Sequence, residues 1–375
     1  MWISDLALVD FRSHRETVLR FDTGVTSLLG PNGVGKTNVA EAVGYLASLR
    51  SHRTATDLAL VREGAAQAVV KAKVVRGDRS IQLGIEIKPN GSNRAWLGRN
   101  PVSRMTELLG MVQAVMFAPE DLSLVKGGPD VRRDFMDWLL VQRRPAAIGT
   151  LRDCAKVTRQ RAALLKSISG LPPASRAVAR ATLDVFNDKL AALGALITVE
   201  RAELIRDLGP HLKRIYPAFA PVGDMVSATY QPSVMLDGSL AVDQVQAAIN
   251  QQIDQELDNE IRRGTNLIGP QRDDLALAIH GRPARGYASH GEAWSLALAL
   301  RLSCFELLKA LGFGDPVLIL DDVFAELDTS RRDRLVDLAN QVEQVIVTAA
   351  VEHDVPPALA GARYRLAFDG ITHEA

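Results

Sequence analysis

The chain has 375 residues, and its 44 Lys and Arg are balanced by 44 Asp and Glu, so the formal net charge is zero. The composition, 47% hydrophobic and 23% charged, is that of a globular protein, which excludes a disordered chain, collagen and a coiled-coil fibre. The longest uncharged apolar stretches fall far short of the roughly 20 residues that span a bilayer. The two cysteines, Cys154 and Cys304, are far apart and have no metal or redox spacing. We therefore expect a cytosolic protein without disulfides.

Short apolar runs separated by turns predict strands in the first third of the chain. They are Ile3–Val9, Val18–Phe21, Val25–Leu29, Val69–Val75, Ile81–Ile87, Ala95–Leu97 and Val112–Phe117. From Pro129 to about Glu260 the apolar spacing becomes helical, with breaks at 170–173 and 217–232, which predicts a helical insertion. Strands return at Leu275–Ile279, Val317–Leu320, Val345–Val347 and Tyr364–Ala367, with a helix over about Gly291–Ala310 between the first two. We expect the two strand-rich ends to form one α/β domain.

Residues 30–37, Gly-Pro-Asn-Gly-Val-Gly-Lys-Thr, fit the phosphate-loop pattern G-x-x-x-x-G-K-[ST] between a predicted strand and a predicted helix. In that context successive backbone N–H groups and the positive end of the helix dipole surround a phosphate. We expect Lys36 to reach the β- and γ-phosphates and the Thr37 hydroxyl to bind Mg²⁺. An ordinary glycine-rich turn is the alternative. The predicted ATP-binding residues are Gly30, Pro31, Asn32, Gly33, Val34, Gly35, Lys36, Thr37 and Asn38.

The apolar run Val317–Leu320 ends in two acids, Asp321 and Asp322, and is typical of a buried parallel strand. A carboxylate at the end of such a strand lies beside the phosphate loop, so we expect Asp321 to bind Mg²⁺ and Asp322 to polarise the attacking water. The alternative is a core strand whose acids cap the next helix.

Many classes of protein share a phosphate loop, so the rest of the chain has to identify the function. Ser289-His-Gly-Glu292 opens a predicted helix and resembles the signature of ABC-type ATPases. That resemblance implies that Ser289 and Gly291 bind the γ-phosphate held by an opposite subunit, so ATP binding would drive dimerisation. A helix N-cap with a nearby glycine is the alternative.

Several motifs together resemble the RecF family of bacterial recombination-repair ATPases over nearly the whole chain. They are Leu8–His14, residues 30–41, Phe117–Leu122, Gly128–Arg133, Arg159–Lys166, Gly269–Leu275 and the acidic pair. The family is similar in its ATPase head to the SMC proteins but has a short helical arm instead of a long coiled coil. The resemblance implies an α/β, ABC-type P-loop ATPase head split in sequence. Its two parts would be residues 1–128 and 266–375, with an inserted mainly helical arm at 129–265.

The same resemblance implies a function. The protein would be an ATP- and Mg²⁺-dependent homodimer that binds duplex DNA and single/double-strand junctions at gaps and, with RecR and RecO, helps to load RecA. It also implies that Arg12 and His14 approach the adenine and ribose, although a plain strand-loop position is the alternative. A transporter-type ATPase subunit and a small-molecule P-loop kinase are the rival classes.

Departures from the transporter pattern bear on the rate of hydrolysis. Transporter ATPases usually have a metal-sensing Gln where this chain has Glu120, and a switch His where it has residues 348–350. Glu120 is therefore a candidate Mg²⁺ ligand. The shorter acid Asp322 and the missing His predict slow hydrolysis.

Seven basic residues against one acid, Asp153, lie between positions 143 and 166. A locally basic helix is what binding to duplex phosphates requires in a neutral protein, although a solvated helix face is the alternative. The candidate DNA contacts are Arg143, Arg144, Arg152, Lys156, Arg159 and Arg161, with further basic residues at Arg50, Arg53, Lys71, Lys73, Arg76 and Arg79. No base-reading motif is visible, so binding is expected to be independent of sequence.

Overall fold

The computed structural model describes residues 1–54, 56–168, 170–220, 225–368 and 370–374, which fall into two compact units. The head unit comprises Met1–Leu122, His211–Asp224 and Ser289–Ala375. The arm unit comprises Ser123–Pro210 and Met225–Ala288. Each unit is therefore assembled from separate segments of the chain.

The strands are numbered in chain order. They are β1 (Trp2–Phe11), β2 (His14–Arg20), β3 (Gly24–Leu29), β4 (Ala68–Arg76), β5 (Arg79–Ile87), β6 (Arg94–Leu97), β7 (Asn100–Pro101), β8 (Ala114–Phe117), β9 (Val226–Gln231), β10 (Asp274–Ile279), β11 (Arg282–Pro283), β12 (Val317–Asp321), β13 (Gln344–Ala349), β14 (Gly361–Ala367) and β15 (Gly370–Glu374). Every strand predicted from an apolar run is present, although β2 begins earlier than predicted.

The helices are also numbered in chain order. They are α1 (Lys36–Ser48), α2 (Leu122–Lys126), α3 (Pro129–Arg143), α4 (Ala147–Ile168), α5 (Pro173–Ile215), α6 (Val242–Arg263), the single turn α7 (Ala284–Tyr287), α8 (His290–Lys309) and α9 (Thr329–Ala339). Within the described ranges, no helix combines the length and the apolar character needed to cross a membrane.

The central sheet of the head unit has the strand order β15-β14-β3-β13-β12-β8. Strands β14, β3, β13, β12 and β8 are parallel, and β15 pairs antiparallel with β14. Every residue of β12 and β13 is buried, which explains their uninterrupted apolar runs. The carboxyl ends of β3, β12, β13 and β8 therefore meet at one edge, where the phosphate loop and the acidic pair follow their strands.

A second, antiparallel sheet in the head unit has the order β2-β1-β4-β5-β6-β7. Its inner face shares one hydrophobic core with α1 and with residues of β12, β13 and β14. On β1, Ile3, Leu6 and Leu8 are all buried because a bulge between Ile3 and Asp5 shifts the register against β4. The loop between β1 and β2 of this sheet lies beside the phosphate loop.

The arm unit combines helices with a three-stranded antiparallel sheet in the order β11-β10-β9. Its core contains apolar residues of α4, α5 and α6, such as Val157, Leu190 and Ile249. The unit is larger than the predicted arm at 129–265, because residues 226–231 form β9 and pair with β10. Residues 266–288, assigned from the sequence to the ATPase head, are thus part of the arm unit.

Candidate nucleotide-binding site

The phosphate loop connects β3 to α1 through a backbone that only glycine tolerates at key points. Gly35, the N-cap of α1, has φ 107°, and Gly30 has φ 149°. A Cβ on Gly30 would lie 2.1 Å from the carbonyl oxygen of Leu366, and one on Gly35 would lie 2.6 Å from His14 Nε2. Glycine is therefore needed at both positions, because a side chain would clash with the groups that lie close to the backbone there.

Lys36 supplies the positive charge of the loop. Its side chain is buried, and its ammonium donates hydrogen bonds to the carbonyl oxygens of Gly30 at 2.8 Å and Pro31 at 3.1 Å. The first turn of α1 contains no acid, so the positive end of the helix is not neutralised there. The loop thus combines a cation and a helix N-terminus, the combination that attracts phosphate.

Asp321 lies at the carboxyl end of β12 and is 3% exposed. Its Oδ1 accepts hydrogen bonds from the Thr37 hydroxyl at 3.0 Å and the Thr348 hydroxyl at 2.6 Å. The pKa of this carboxyl is raised to about 6: burial is the main cause, the hydrogen bonds from Thr348 and Thr37 lower the pKa, and the charge of Asp322 raises it. The phosphate loop and the acidic strand therefore meet at Asp321.

Asp322 adopts a left-handed backbone conformation with φ 51°. Its N–H donates to the Thr348 hydroxyl at 3.0 Å. Burial raises the pKa of its carboxyl, the Lys36 ammonium lowers it, and the charges of Asp354 and Glu120 raise it. The carboxylate of Asp322 therefore shares its electrostatic environment with the cation of the phosphate loop.

The site offers the hard oxygen ligands that Mg²⁺ prefers. The Thr37 hydroxyl and the Asp321 carboxylate are already in contact, and Glu120, which is exposed, acts electrostatically on both Asp321 and Asp322. No group of three or more His, Cys, Asp or Glu arranged for a metal occurs in the described part of the chain. Mg²⁺ is commonly bound by one or two carboxylates together with substrate phosphates and water, so these residues fit it.

The neighbouring acid has a different role from Glu120. Asp121 accepts a hydrogen bond from Arg301 at 2.6 Å and another from the N–H of Ala118. It therefore stabilises the turn that presents Glu120 after β8.

Ser289 caps α8. Its hydroxyl accepts from the N–H of Glu292 at 3.2 Å, and the Glu292 carboxylate accepts from the N–H of Ser289 at 2.7 Å, which is a capping box. Ser289 is exposed, so the N-terminus of this helix is accessible to an anion. Among the described residues no hydrogen bond or ion pair joins Ser289 or Gly291 to the phosphate loop.

Arg331 links the start of α8 to the start of α9. A Cβ on Gly291 would lie 3.4 Å from the Arg331 guanidinium, which donates to Asp328 at 2.6 Å and to the carbonyl oxygen of Phe219 at 2.9 Å. Asp328 in turn caps α9. The starts of α8 and α9, which precede and follow the acidic strand in the chain, therefore form one local structure.

The loop before β2 contacts the phosphate loop. His14 Nε2 lies 3.0 Å from the carbonyl oxygen of Gly35, and burial lowers the pKa of His14. Arg12 donates two hydrogen bonds, at 2.8 and 2.6 Å, to Glu41, whose side chain is fully buried. Sequence reasoning missed Glu41, and no local pattern indicates its pairing with a residue 29 positions earlier.

Among the candidate DNA contacts, three form one exposed face of α4 in the arm unit. Arg152, Lys156 and Arg159 are spaced i, i+4 and i+7, which places them on the same side of the helix. By contrast, Arg143 is paired with Asp207 at 2.7 Å and Arg144 with Glu200 at 2.6 Å. We call the first three residues the α4 basic stripe.

The structure does not support Arg161 as a DNA contact. Its side chain is fully buried, and its guanidinium donates to Asn187 and Asn266 at 2.7 Å and to Glu260 at 2.5 Å. Removing one partner from a buried ion pair costs about 3–5 kcal/mol, so this arginine is fixed inside the arm unit.

Comparisons with known proteins agree with this architecture. The family model described as the RecF/RecN/SMC N terminal domain matches residues 2–363. A DNA replication and repair protein RecF from Frankia alni is 48% identical over 371 residues, covering 98% of each chain. A structure of the recombination mediator protein RecF-ATPrS in the RecFOR pathway has a TM-score of 0.90 at 25% identity, covering 100% of this chain and 98% of that one.

A more distant match concerns the fold alone. The Smc head domain with an extended coiled coil from Pyrococcus furiosus has a TM-score of 0.54 at 17% identity, covering 100% of this chain and 96% of that one. The predicted fold class, an ABC-type ATPase head with a helical region, is thereby confirmed. With a family model and a 48% identical relative that both span nearly its full length, the chain belongs to the RecF family.

Proposed function

We propose that this protein is an ATP-dependent, dimerising DNA-binding protein of recombinational repair. It would bind duplex DNA and single/double-strand junctions at replication gaps without sequence specificity, act in the cytoplasm, and assist RecA loading together with RecR and RecO. The observation that carries the proposal is the contact between Thr37 of the phosphate loop and Asp321 of the acidic strand, in a chain of the RecF family. A RecF structure from the RecFOR pathway supports the choice of partners.

ATP would be held by residues 30–38, with Lys36 at the β- and γ-phosphates. Thr37 and Asp321 would hold Mg²⁺, with Glu120 nearby, and the ion would neutralise charge on the phosphates. Arg12 would act near the base and ribose, positioned by its two hydrogen bonds to Glu41.

Hydrolysis would depend on Asp322 as the acid that polarises water. Asp is one methylene shorter than Glu, and residues 348–350 at the end of β13 contain no switch His, so hydrolysis would be slow. Ser289 and Gly291 would complete the site on the opposite subunit, because the exposed N-terminus of α8 can accept a phosphate. Slow turnover suits a protein that is held on DNA by ATP and released after hydrolysis.

DNA binding is assigned to the α4 basic stripe. Its three exposed cations can each contact a phosphate, and contacts to phosphates carry no sequence information. Arg143 and Arg144 would contribute less, because each is engaged by a carboxylate.

Replacing the stripe residues tests this assignment. We expect the triple Ala variant of Arg152, Lys156 and Arg159 to weaken DNA binding equally across sequences. It should also lower the slope of log K against log salt by up to about 3. Basal ATPase activity should persist.

The matched control removes three exposed cations from elsewhere in the arm unit by changing Lys189, Arg263 and Arg285 to Ala. The assignment would be wrong if the stripe variant kept the salt slope of the wild type, or if the control lost as much DNA affinity. Either result would mean that the α4 basic stripe is only a solvated helix face.

Light scattering and ATPase assays test the rest of the proposal. Dimerisation should require ATP and should not occur with ADP or without nucleotide. Linear duplex DNA should stimulate ATP hydrolysis, which is expected neither of a transporter ATPase subunit nor of a small-molecule kinase. Absence of both effects would refute the proposed function.

A further inference from the structure

The Thr348 hydroxyl connects the two acids that follow the central strands. It donates to Asp321 Oδ1 at 2.6 Å and accepts from the N–H of Asp322 at 3.0 Å. A hydroxyl has one donor and two acceptor lone pairs, so one group can make both bonds. Thr348 is 1% exposed, so both bonds are shielded from water.

The strand register produces this contact. Strands β12 and β13 are parallel, and Thr348 lies directly beside Asp321. It is the penultimate residue of β13 and belongs to residues 348–350, where transporter-type ATPases usually carry a switch His. Nothing local in the sequence around Thr348 distinguishes it from any other threonine of a buried strand.

The backbone of Asp322 makes its hydrogen bond important. A non-glycine residue at φ 51° is uncommon, and such a conformation persists only where the surrounding structure enforces it. Thr348 accepts the N–H at this turn, while its other bond fixes the side chain of the preceding acid. One side chain therefore sets the relative placement of the Asp321 carboxylate and the Asp322 backbone.

We propose that Thr348 is a positioning residue for ATP hydrolysis, which holds the metal-binding acid Asp321 and the water-polarising acid Asp322 in one fixed arrangement. This inference rests on the proposed function, because it assumes those two roles. The hydroxyl of Thr348 is buried and already engaged by these two residues, so we expect it to act through them and not through contact with the nucleotide. Its loss should therefore affect the rate of turnover more than the affinity for ATP.

Three variants at this position distinguish the effect of losing the Thr348 hydroxyl from the effect of losing its methyl group. Thr348→Val keeps the shape and removes the hydroxyl, Thr348→Ser keeps the hydroxyl, and Thr348→Ala is a second variant without a hydroxyl. The matched control is Thr26→Val, which removes a buried hydroxyl from β3 of the same sheet.

The assays measure kcat with duplex DNA, the Kd of a non-hydrolysable ATP analogue, and the melting temperature. Thr348→Val and Thr348→Ala should lower kcat by about 10- to 100-fold, the effect expected when a reacting group is misplaced. Their Kd should stay within about three-fold of wild type. Thr348→Ser and Thr26→Val should both retain near-normal kcat.

Each outcome bears on the proposal. Normal kcat in Thr348→Val or Thr348→Ala overturns it, as does a Thr348→Ser variant that is as slow as Thr348→Val. A loss of kcat matched by equal losses of analogue binding and melting temperature would reduce Thr348 to a structural residue. A wild-type protein that does not hydrolyse ATP would instead refute the proposed function.

Discussion

Removing the buried charge of Asp321 should stabilise the nucleotide-free protein. In Asp321→Asn the side chain keeps an oxygen that can accept from Thr37 and Thr348, but it carries no charge that burial opposes. The same change should abolish the stabilisation that Mg²⁺ adds to ATP binding, because a carboxylate ligand is lost. Stability and nucleotide response are thus expected to change in opposite directions.

The size of the effect follows from the pKa. The pKa of this carboxyl rises from an ordinary 3.8 to about 6, a net shift of about 2 units of which burial is the main cause. Each unit corresponds to about 1.4 kcal/mol, so the charged form opposes folding by up to about 3 kcal/mol. The unfolding entropy is about 2.1 cal/mol/K per residue, so this free energy raises the melting temperature of a chain of this length by about 4 °C.

The effect should depend on pH in a defined direction. Because the pKa of Asp321 is higher in the folded than in the unfolded state, the folded protein binds more protons between about pH 4 and pH 6. As pH rises through that window, Asp321 ionises in the folded protein, and the free energy of unfolding of the wild type decreases. The advantage of Asp321→Asn should be full at pH 7.5, fall to about a third of that at pH 4.5, and approach zero below about pH 3.

Thermal unfolding at pH 7.5 and pH 4.5 without nucleotide measures this difference. Asp337→Asn, which removes an exposed carboxylate from α9, is the matched control and should change the melting temperature little. A lower melting temperature for Asp321→Asn at pH 7.5, or the same gain at both pH values, would refute the reasoning.

Three further predictions concern turnover and the phosphate loop. Asp322→Asn should retain binding of ATP and Mg²⁺ but stall hydrolysis; near-normal turnover would remove this acid from the mechanism. Mixing the inactive Lys36→Ala and Ser289→Arg variants should restore up to roughly a quarter of DNA-stimulated ATPase, because half of randomly formed dimers are mixed and one of their two sites is intact. If cross-linked mixed dimers form and bind ATP but do not hydrolyse it, the two sites are not both shared between subunits and independent of each other. Gly35→Ala should lower thermal stability and ATP affinity more than Gly33→Ala, since both backbones have positive φ but only at Gly35 would the Cβ clash; equal effects would contradict this.

The central sheet could be predicted from the sequence because its strands are buried on both faces. Such strands are continuous apolar runs, as in β12 and β13, and acids at the end of β12 interrupt the run visibly. The phosphate loop is equally local, since its glycines, lysine and threonine lie within eight positions. Placement of both at one sheet edge then follows from parallel topology.

Features that depend on distant residues could not be predicted. Arg159 and Arg161 lie two positions apart on α4, yet Arg159 is exposed and Arg161 is buried. Arg161 is paired with Glu260, which is 99 positions away, and helical periodicity alone does not reveal that pairing. Strand β9 is a different case. Its sequence, Val-Ser-Ala-Thr-Tyr-Gln, alternates apolar and polar residues and so indicates a half-exposed strand, but the prolines around it favour a break between helices; its pairing with β10 shows the strand.

The position of β3 in the central sheet also has a consequence for biosynthesis. Strand β3 precedes the phosphate loop, but its sheet neighbours are β13 and β14, near the other end of the chain. At about 5–20 residues per second, a ribosome that has completed β3 delivers those neighbours only tens of seconds later. The α-helical contacts of the arm unit can form in the interval. A nascent chain that stops before Gln344 therefore carries the phosphate-loop sequence without the strands that pair with β3.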